Sequence, residues 1–174
     1  MSTSKHTLTL MRHAKSSWDD PTLNDHQRPL NARGSRDAPE MGKRLKARGL
    51  RPSAVLASSA ARTWQTAKHV CNSIGFPVEF IHKEPDLYLA APTTIIDVIL
   101  AQDASFRHML VIGHNPGMSQ LANQLGNQIP GDMPTAALLT IEAETDSWST
   151  FFDETHTIVG YDYPKNANGV ITRF

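Results

Sequence analysis

The chain has 174 residues, roughly one ordinary domain of about 150 residues, and is long enough to bury about 70% of its unfolded surface without disulfide or metal staples. With 40% hydrophobic and 20% charged residues, its composition is that of a soluble globular protein and excludes a disordered or fibrous one. Seventeen Lys plus Arg balance seventeen Asp plus Glu, which argues against a nucleic-acid coat or an anionic-membrane anchor. The single cysteine, Cys71, excludes an internal disulfide and a Cys-rich zinc site.

The neutral total hides an asymmetry. Residues 1–50 carry ten basic and five acidic side chains, whereas seven acids and no Lys or Arg lie between Asp132 and Asp162. The first third of the chain can therefore hold an anion site. The polar N-terminus, Met1 to His6, shows no targeting segment, and no apolar stretch approaches the roughly 20 residues of a membrane span. A cytoplasmic location and one domain over residues 1–174 are the expectations.

In chain order, Thr7–Met11 is a β-prone run ended by Arg12-His13, and a polar loop follows to about Gly34. Ala38, Met41 and Leu45 recur at helical spacing up to Gly49, and Pro39 is expected in the first turn of that helix. Ala54–Ala57 reads as a buried strand. Ser58 and Ser59 supply N-cap chemistry for a helix whose inner face is Ala60, Trp64, Ala67, Cys71 and Ile74, closed by Gly75. Val78–Ile81 is a weaker strand, and a helix from Thr93 or Thr94 buries Ile95, Ile96, Ile99 and Leu100. His108–Ile112 is another strand. Asn115 then suits an N-cap and Pro116 the first helical position, with Met118, Leu121, Ala122 and Leu125 inward and Gly126 at the end. Ala136–Ile141 and Trp148–Phe152 read as two late strands, a candidate hairpin, before an irregular tail from Pro164. This alternation predicts an α/β fold: a three-layer sandwich with a mostly parallel central sheet and helices on both faces.

Ligands of such sheets bind beyond the carboxyl ends of the strands. Three strands end there in Arg12-His13, Ser58-Ser59 leading to Arg62, and Gly113-His114-Asn115. Two arginines beside two histidines suit a phosphate or sulfate ester, because guanidinium forks pair bidentately with its oxygens and a neutral imidazole can attack phosphorus. Arg62 at a helix N-terminus would add main-chain donors. The chain has no G-x-x-x-x-G-K-[ST] phosphate loop and no G-x-S-x-G elbow. Cys71 lies on an apolar helix face, where it reads as core. The acids cluster away from the histidines, which gives a two-metal site little support.

These residues carry a resemblance. Leu10-Met11-Arg12-His13-Ala14, Ser58-Ser59-Ala60-Ala61-Arg62-Thr63 with Gln65-Thr66, and Val111-Ile112-Gly113-His114-Asn115-Pro116 resemble, in order, the three motifs of the histidine phosphatase superfamily. Ser16–Pro21 and Arg28–Gly34 look like the short SixA branch of phosphohistidine phosphatases. The resemblance spans residues 8 to about 126 and implies a phosphoglycerate-mutase-like fold with no metal or organic cofactor. It makes His13 the nucleophile. Arg12, Arg62 and His114 become the groups that hold the phosphoryl oxygens, and Arg28 a further phosphate-binding arginine. Lys15 stands at the pocket mouth as a field-raising group or a solvated charge, and Trp18 as a rim residue or a cover over apolar surface. His6, His26, His69, His82, His108 and His156 have no motif context.

Many members of the superfamily carry a glutamate between the second and third motifs that protonates the leaving oxygen. Here that stretch is Glu84–Ala90, and neither Glu84 nor Asp86 aligns with it. A leaving alkoxide needs such a proton, whereas imidazole, with a conjugate-acid pKa of about 6.5, leaves without a strong acid. The expected activity is therefore removal of phosphate from phosphohistidine in proteins, through an enzyme phosphohistidine. The alternatives are a small-molecule phosphomonoesterase for a sugar phosphate or nucleotide, using Asp86 or Glu84, and a non-catalytic phosphate-binding module. Expected partners are thus a phosphorylated protein or a small phosphate ester, with no nucleic acid and no membrane. The sequence does not determine an oligomeric state.

Overall fold

A computed structural model describes residues 4–126, 129 and 131–172; the first three residues of the polar N-terminus lie outside this range. Six strands form one sheet in the order β3-β2-β4-β1-β5-β6: β1 (Lys5–Arg12), β2 (Ala54–Ser58), β3 (His82–Glu84), β4 (His108–Gly113), β5 (Leu138–Glu144) and β6 (Thr157–Asp162). β1 to β4 are mutually parallel, and only β5 runs against its neighbours. The mostly parallel sheet predicted from the alternation is the one observed.

The strands of the centre alternate between two cores. Leu8, Leu10, Met109 and Val111 face α3 (Pro92–Leu100) and α4 (Gly117–Gly126), while Met11, Val55, Leu110 and Ile112 face α1 (Ala32–Ala47) and α2 (Ala61–Ile74). Period-2 alternation with apolar residues on both faces is what a sheet covered on each side requires. Cys71 sits wholly buried in the second core, where burial pushes its thiol up to about 12.

Several expected boundaries move. α1 begins at Ala32, where the Asn31 side chain accepts from Gly34 N, so Pro39 lies well inside the helix and not in its first turn. The capping residue of α2 is Ala60, without a side-chain cap, because the Ser58 and Ser59 hydroxyls are engaged elsewhere, with His114 and His26. Val78–Phe80 forms a 3₁₀ turn after Pro77, and the strand follows it as the polar His82–Glu84. An edge strand of three residues carries no apolar alternation to reveal it. α3 buries Val98 alongside Ile95 and Ile99 and leaves Ile96 and Leu100 half-buried. α4 is helical from Gly117, just after Pro116. Asn115 nevertheless accepts from Ser119 N at 3.1 Å.

The late hairpin exists, but with a different second arm. Trp148–Asp153 is a 3₁₀ turn that buries Trp148 and Phe151, three residues apart, and β6 supplies the strand that pairs with β5. Beyond Pro164 the described tail is irregular except for one bridge between Tyr161 and Ile171.

Candidate active site

Because β2, β4 and β1 are neighbours and parallel, their carboxyl ends lie side by side. There they deliver Arg12-His13, Ser58 and His114 to one place, with Arg62 in the first turn of α2. A cavity of about 220 Å³ is lined by His13, Arg12, Arg62, Arg28 and His114 together with Lys15, Ser16, Trp18, Leu89, Asn115 and Thr135. The candidate nucleophile, the candidate phosphate-binding residues, Lys15 and Trp18 therefore meet at this cavity. Its volume is below the roughly 300–1,000 Å³ of sites for drug-sized ligands. It has room for a small polyanion, with the remainder of any ligand at the mouth.

The hydrogen bonds assign the tautomer of His13. Its Nδ1–H donates to the Ala14 carbonyl at 2.7 Å, and Arg62 Nε donates to Nε2 at 3.4 Å. Nε2 therefore carries the lone pair. Burial first, then the charges of Arg62, Arg12 and Arg28, push the His13 pKa down to about 3, against the hydrogen bond to Ala14, which raises it. The imidazole is neutral at physiological pH and presents a free base among cations.

His114 stands with its ring centroid 5.3 Å from that of His13 and its Nε2 2.7 Å from Ser58 Oγ. The Ser58 oxygen also accepts from Ala60 N at 3.3 Å. The other ring nitrogen of His114, Nδ1, is buried with no hydrogen-bond partner. Burial, followed by His13 and Arg62, lowers the His114 pKa to about 3. Arg12 donates through Nη1 to the Met133 carbonyl at 2.9 Å, while its buried Nε also lacks a partner. An orphaned buried polar atom costs about 1–3 kcal/mol, and two of them, one the Arg12 donor, sit on residues that line one cavity. An anion bound there is the natural acceptor.

The arginines are held by a residue absent from the sequence-based set. Asp25 Oδ1 accepts from Arg28 Nε and Nη2, both at 3.2 Å, and Oδ2 accepts from Arg62 Nη2 at 3.0 Å and from the Tyr88 hydroxyl at 2.5 Å. The Asp25 carbonyl takes Arg62 Nη1 at 2.7 Å. These partners keep the Asp25 carboxyl well below the usual carboxylate range, against the cost of desolvation. The Asn24 and Gln27 side chains close the 3₁₀ turn that presents it, a reciprocal cap readable in the sequence as N-x-x-Q. Tyr88 left no comparable trace. Arg28 lines the cavity, but its nitrogens also reach Ser16 Oγ at 2.9 Å and Ser17 O at 3.2 Å.

The motif residues Gln65 and Thr66 brace the site from behind. Gln65 Oε1 accepts from Leu30 N, and Thr66 Oγ1 links Ala14 N to the Arg62 carbonyl. Glu84 and Asp86 stay off the cavity lining: Glu84 caps Asp86 N and lies 3.4 Å from His82. Among the described residues no three His, Cys, Asp or Glu side chains gather in a way that would hold a metal ion, and no helix is long and apolar enough to cross a membrane.

A neutral histidine base, a second buried imidazole and three guanidinium groups around one small cavity define a phosphoryl-group site on an α/β sheet. The profile of the histidine phosphatase superfamily, branch 1, matches residues 8–87. An uncharacterized chloroplastic protein of Arabidopsis thaliana is 35% identical over 156 residues, covering 83% of this chain and 70% of that protein. An uncharacterized Mycobacterium tuberculosis protein is 33% identical over 165 residues, covering 89% of this chain and all of its own length. Among solved structures, one assigned as the phosphohistidine phosphatase SixA of Agrobacterium tumefaciens superposes with a TM-score of 0.77 at 25% identity, over 91% of this chain and 99% of its own. A mycobacterial glucosyl-3-phosphoglycerate phosphatase shares the fold, with a TM-score of 0.63 at 12% identity over 89% of this chain and 97% of its own. The chain belongs to the histidine phosphatase superfamily and is a SixA-like phosphatase with the phosphoglycerate-mutase-like fold.

Proposed function

We propose that this phosphatase removes phosphate from phosphohistidine carried on proteins, through a phosphoryl group held transiently on His13. His13 Nε2 attacks phosphorus in line; the new N–P bond forms as the substrate P–N bond breaks. The bonding pair returns to the leaving imidazole, which takes a proton from water. Arg12, Arg62 and His114 hold the charge on the equatorial oxygens, and Arg28 adds its positive field. Water then attacks the enzyme phosphohistidine, its oxygen leaves in inorganic phosphate, and the electron pair returns to Nε2.

The single observation that carries this reading is the state of the carboxylates. Neither Glu84 nor Asp86 lines the cavity. Asp25, a carboxylate that reaches two of the cavity's arginines, is bound by Arg28, Arg62 and Tyr88, which keep it ionised. An ionised carboxylate has no proton for an alkoxide. A site with strong phosphoryl-binding groups and no carboxyl group among its described lining residues suits a leaving group that needs no strong acid.

The test is a dephosphorylation panel of phosphohistidine proteins and small alkyl phosphates, run beside His13→Ala. Turnover of the phosphohistidine proteins, lost in the variant, is expected. A clear preference for alkyl phosphates that disappears on changing Asp86 or Glu84 would identify a phosphomonoesterase instead. Phosphate binding without turnover of either class would identify a binding module.

A further inference from the structure

Trp18 is 74% exposed and Leu89 54% exposed, and both stand on the cavity whose buried floor holds His13, Arg62 and His114. A site that had only to grip a phosphoryl group would need no apolar rim. Water-facing Trp and Leu at an otherwise cationic mouth mark a contact surface.

Neither residue is a loose loop tip. Next to Trp18, Ser17 N donates to Pro29 O at 2.8 Å, Asn31 N donates to Lys15 O at 3.0 Å, and Ser16 pairs with Leu30. The guanidinium of Arg28 lies under the indole, its Cζ 3.5 Å from the ring centre. Arg28 is itself fixed by Asp25, Ser16 and Ser17, so one indole face is covered and the other is open. Leu89 has φ +49°, a left-handed conformation uncommon for a leucine and tolerated where neighbours over-determine it. On one side Tyr88 is tied to Asp25. On the other, the Ala90 carbonyl fills the space that a Cβ on Gly117 would need.

We infer that Trp18 and Leu89 form a leaving-group subsite that receives the imidazole ring of a protein-borne phosphohistidine. This rests on the function proposed above and names the surface that would select its substrate. In a cavity of about 220 Å³ that Trp18 and Leu89 help to line, the phosphoryl group goes to the buried histidines and arginines and the leaving group lies toward the mouth, beside these two side chains. A sugar would bring hydroxyls that need partners. Leu89 offers none, and an indole offers only one donor. A flat imidazole needs little more than a ring face and an aliphatic wall, and aromatic pairs with offset or edge contacts gain beyond their buried area.

The test measures kcat/KM for wild type, Trp18→Ala, Trp18→Phe and Leu89→Ala on three P–N substrates. Phosphoramidate has no ring, phosphoimidazole has the ring alone, and a phosphohistidine-bearing phosphotransfer protein has ring and polypeptide. Trp18→Ala is expected to lose about 10-fold on both ring substrates and clearly less on phosphoramidate, with Leu89→Ala losing a few-fold in the same pattern. Trp18→Phe should retain most of the ring preference. Equal losses on all three substrates would mean that Trp18 serves only to hold Arg28, and would overturn the subsite alone. So would a loss confined to the protein, which would make the rim a docking surface for flanking polypeptide. A wild-type enzyme inactive on all three substrates overturns the proposed function together with the subsite.

Discussion

Strands β1 and β4 each carry a histidine at both ends, and the two ends treat them oppositely. At the amino ends, His6 and His108 are buried with their polar atoms engaged. His6 Nδ1 lies 2.8 Å from Thr145 O and its Nε2 2.9 Å from Ala104 O, while His108 Nε2 lies 2.8 Å from Thr9 Oγ1. At the carboxyl ends, His13 and His114 are equally buried, but His13 Nε2 meets only a long contact from Arg62 and His114 Nδ1 meets nothing. Same strands, same residue type, similar burial: what separates packing from chemistry is the polar capacity left unused. A folded protein satisfies nearly all buried polar groups, so the unused ones mark where a ligand belongs.

The comparison predicts its own largest effect. His13→Ala should lower turnover by about 10⁴-fold or more and abolish acid-labile phosphoryl labelling of the protein; persistent labelling would move the nucleophile elsewhere. Arg62→Lys keeps the charge but gives up the planar fork that reaches both Asp25 and the cavity. A loss of about 10²–10³-fold in kcat is expected, read in steady-state kinetics with the fold checked by circular dichroism. At the other end, His108→Ala should leave kcat/KM within a few-fold of wild type. It takes from the buried Thr9 hydroxyl one of its two partners, leaving Thr140 Oγ1 at 2.9 Å, and should cost about 1–3 kcal/mol in urea unfolding. A collapse of activity without a loss of stability would erase the distinction between the two ends.

The contrast also explains what was legible beforehand. Arg12, His13, Arg62 and His114 stand directly at strand ends or one residue into a helix, so the order of β-runs and helices alone sent them to one edge. His6 and His108 gave no motif signal because satisfied core histidines have none. Asp25 and Tyr88 reach the site from loops, one on a short capped turn and one beside the left-handed Leu89. No periodicity governs such segments, although the Asn24 and Gln27 cap was there to be read. The misplaced strands failed for a related reason. Val78–Ile81 has apolar alternation but follows Pro77 into a tight turn, and His82–Glu84 is a polar edge strand with no alternation at all.

The smallest expected effect separates the two ends by protons. Burial holds His13 and His114 down to about 3 and His108 down to about 4, against about 6.5 in an unfolded chain. Between those values the unfolded chain binds more protons than the native one, so stability rises with pH. The contribution is fully present above pH 6.5 and is lost as the pH falls toward about 4 for His108 and about 3 for His13 and His114, at up to about 1.4 kcal/mol per pH unit for each histidine. Urea unfolding at pH 6.5, 6.0 and 5.5 measures the slope before carboxylates contribute. His108→Leu should remove one histidine's share with or without ligand. Tungstate or phosphate in the cavity should remove a different share, because a bound dianion favours the imidazolium forms of His13 and His114 and draws their native pKa values back toward 6.5. A ligand that left the slope of the wild type unchanged would mean that the anion does not sit between these two rings.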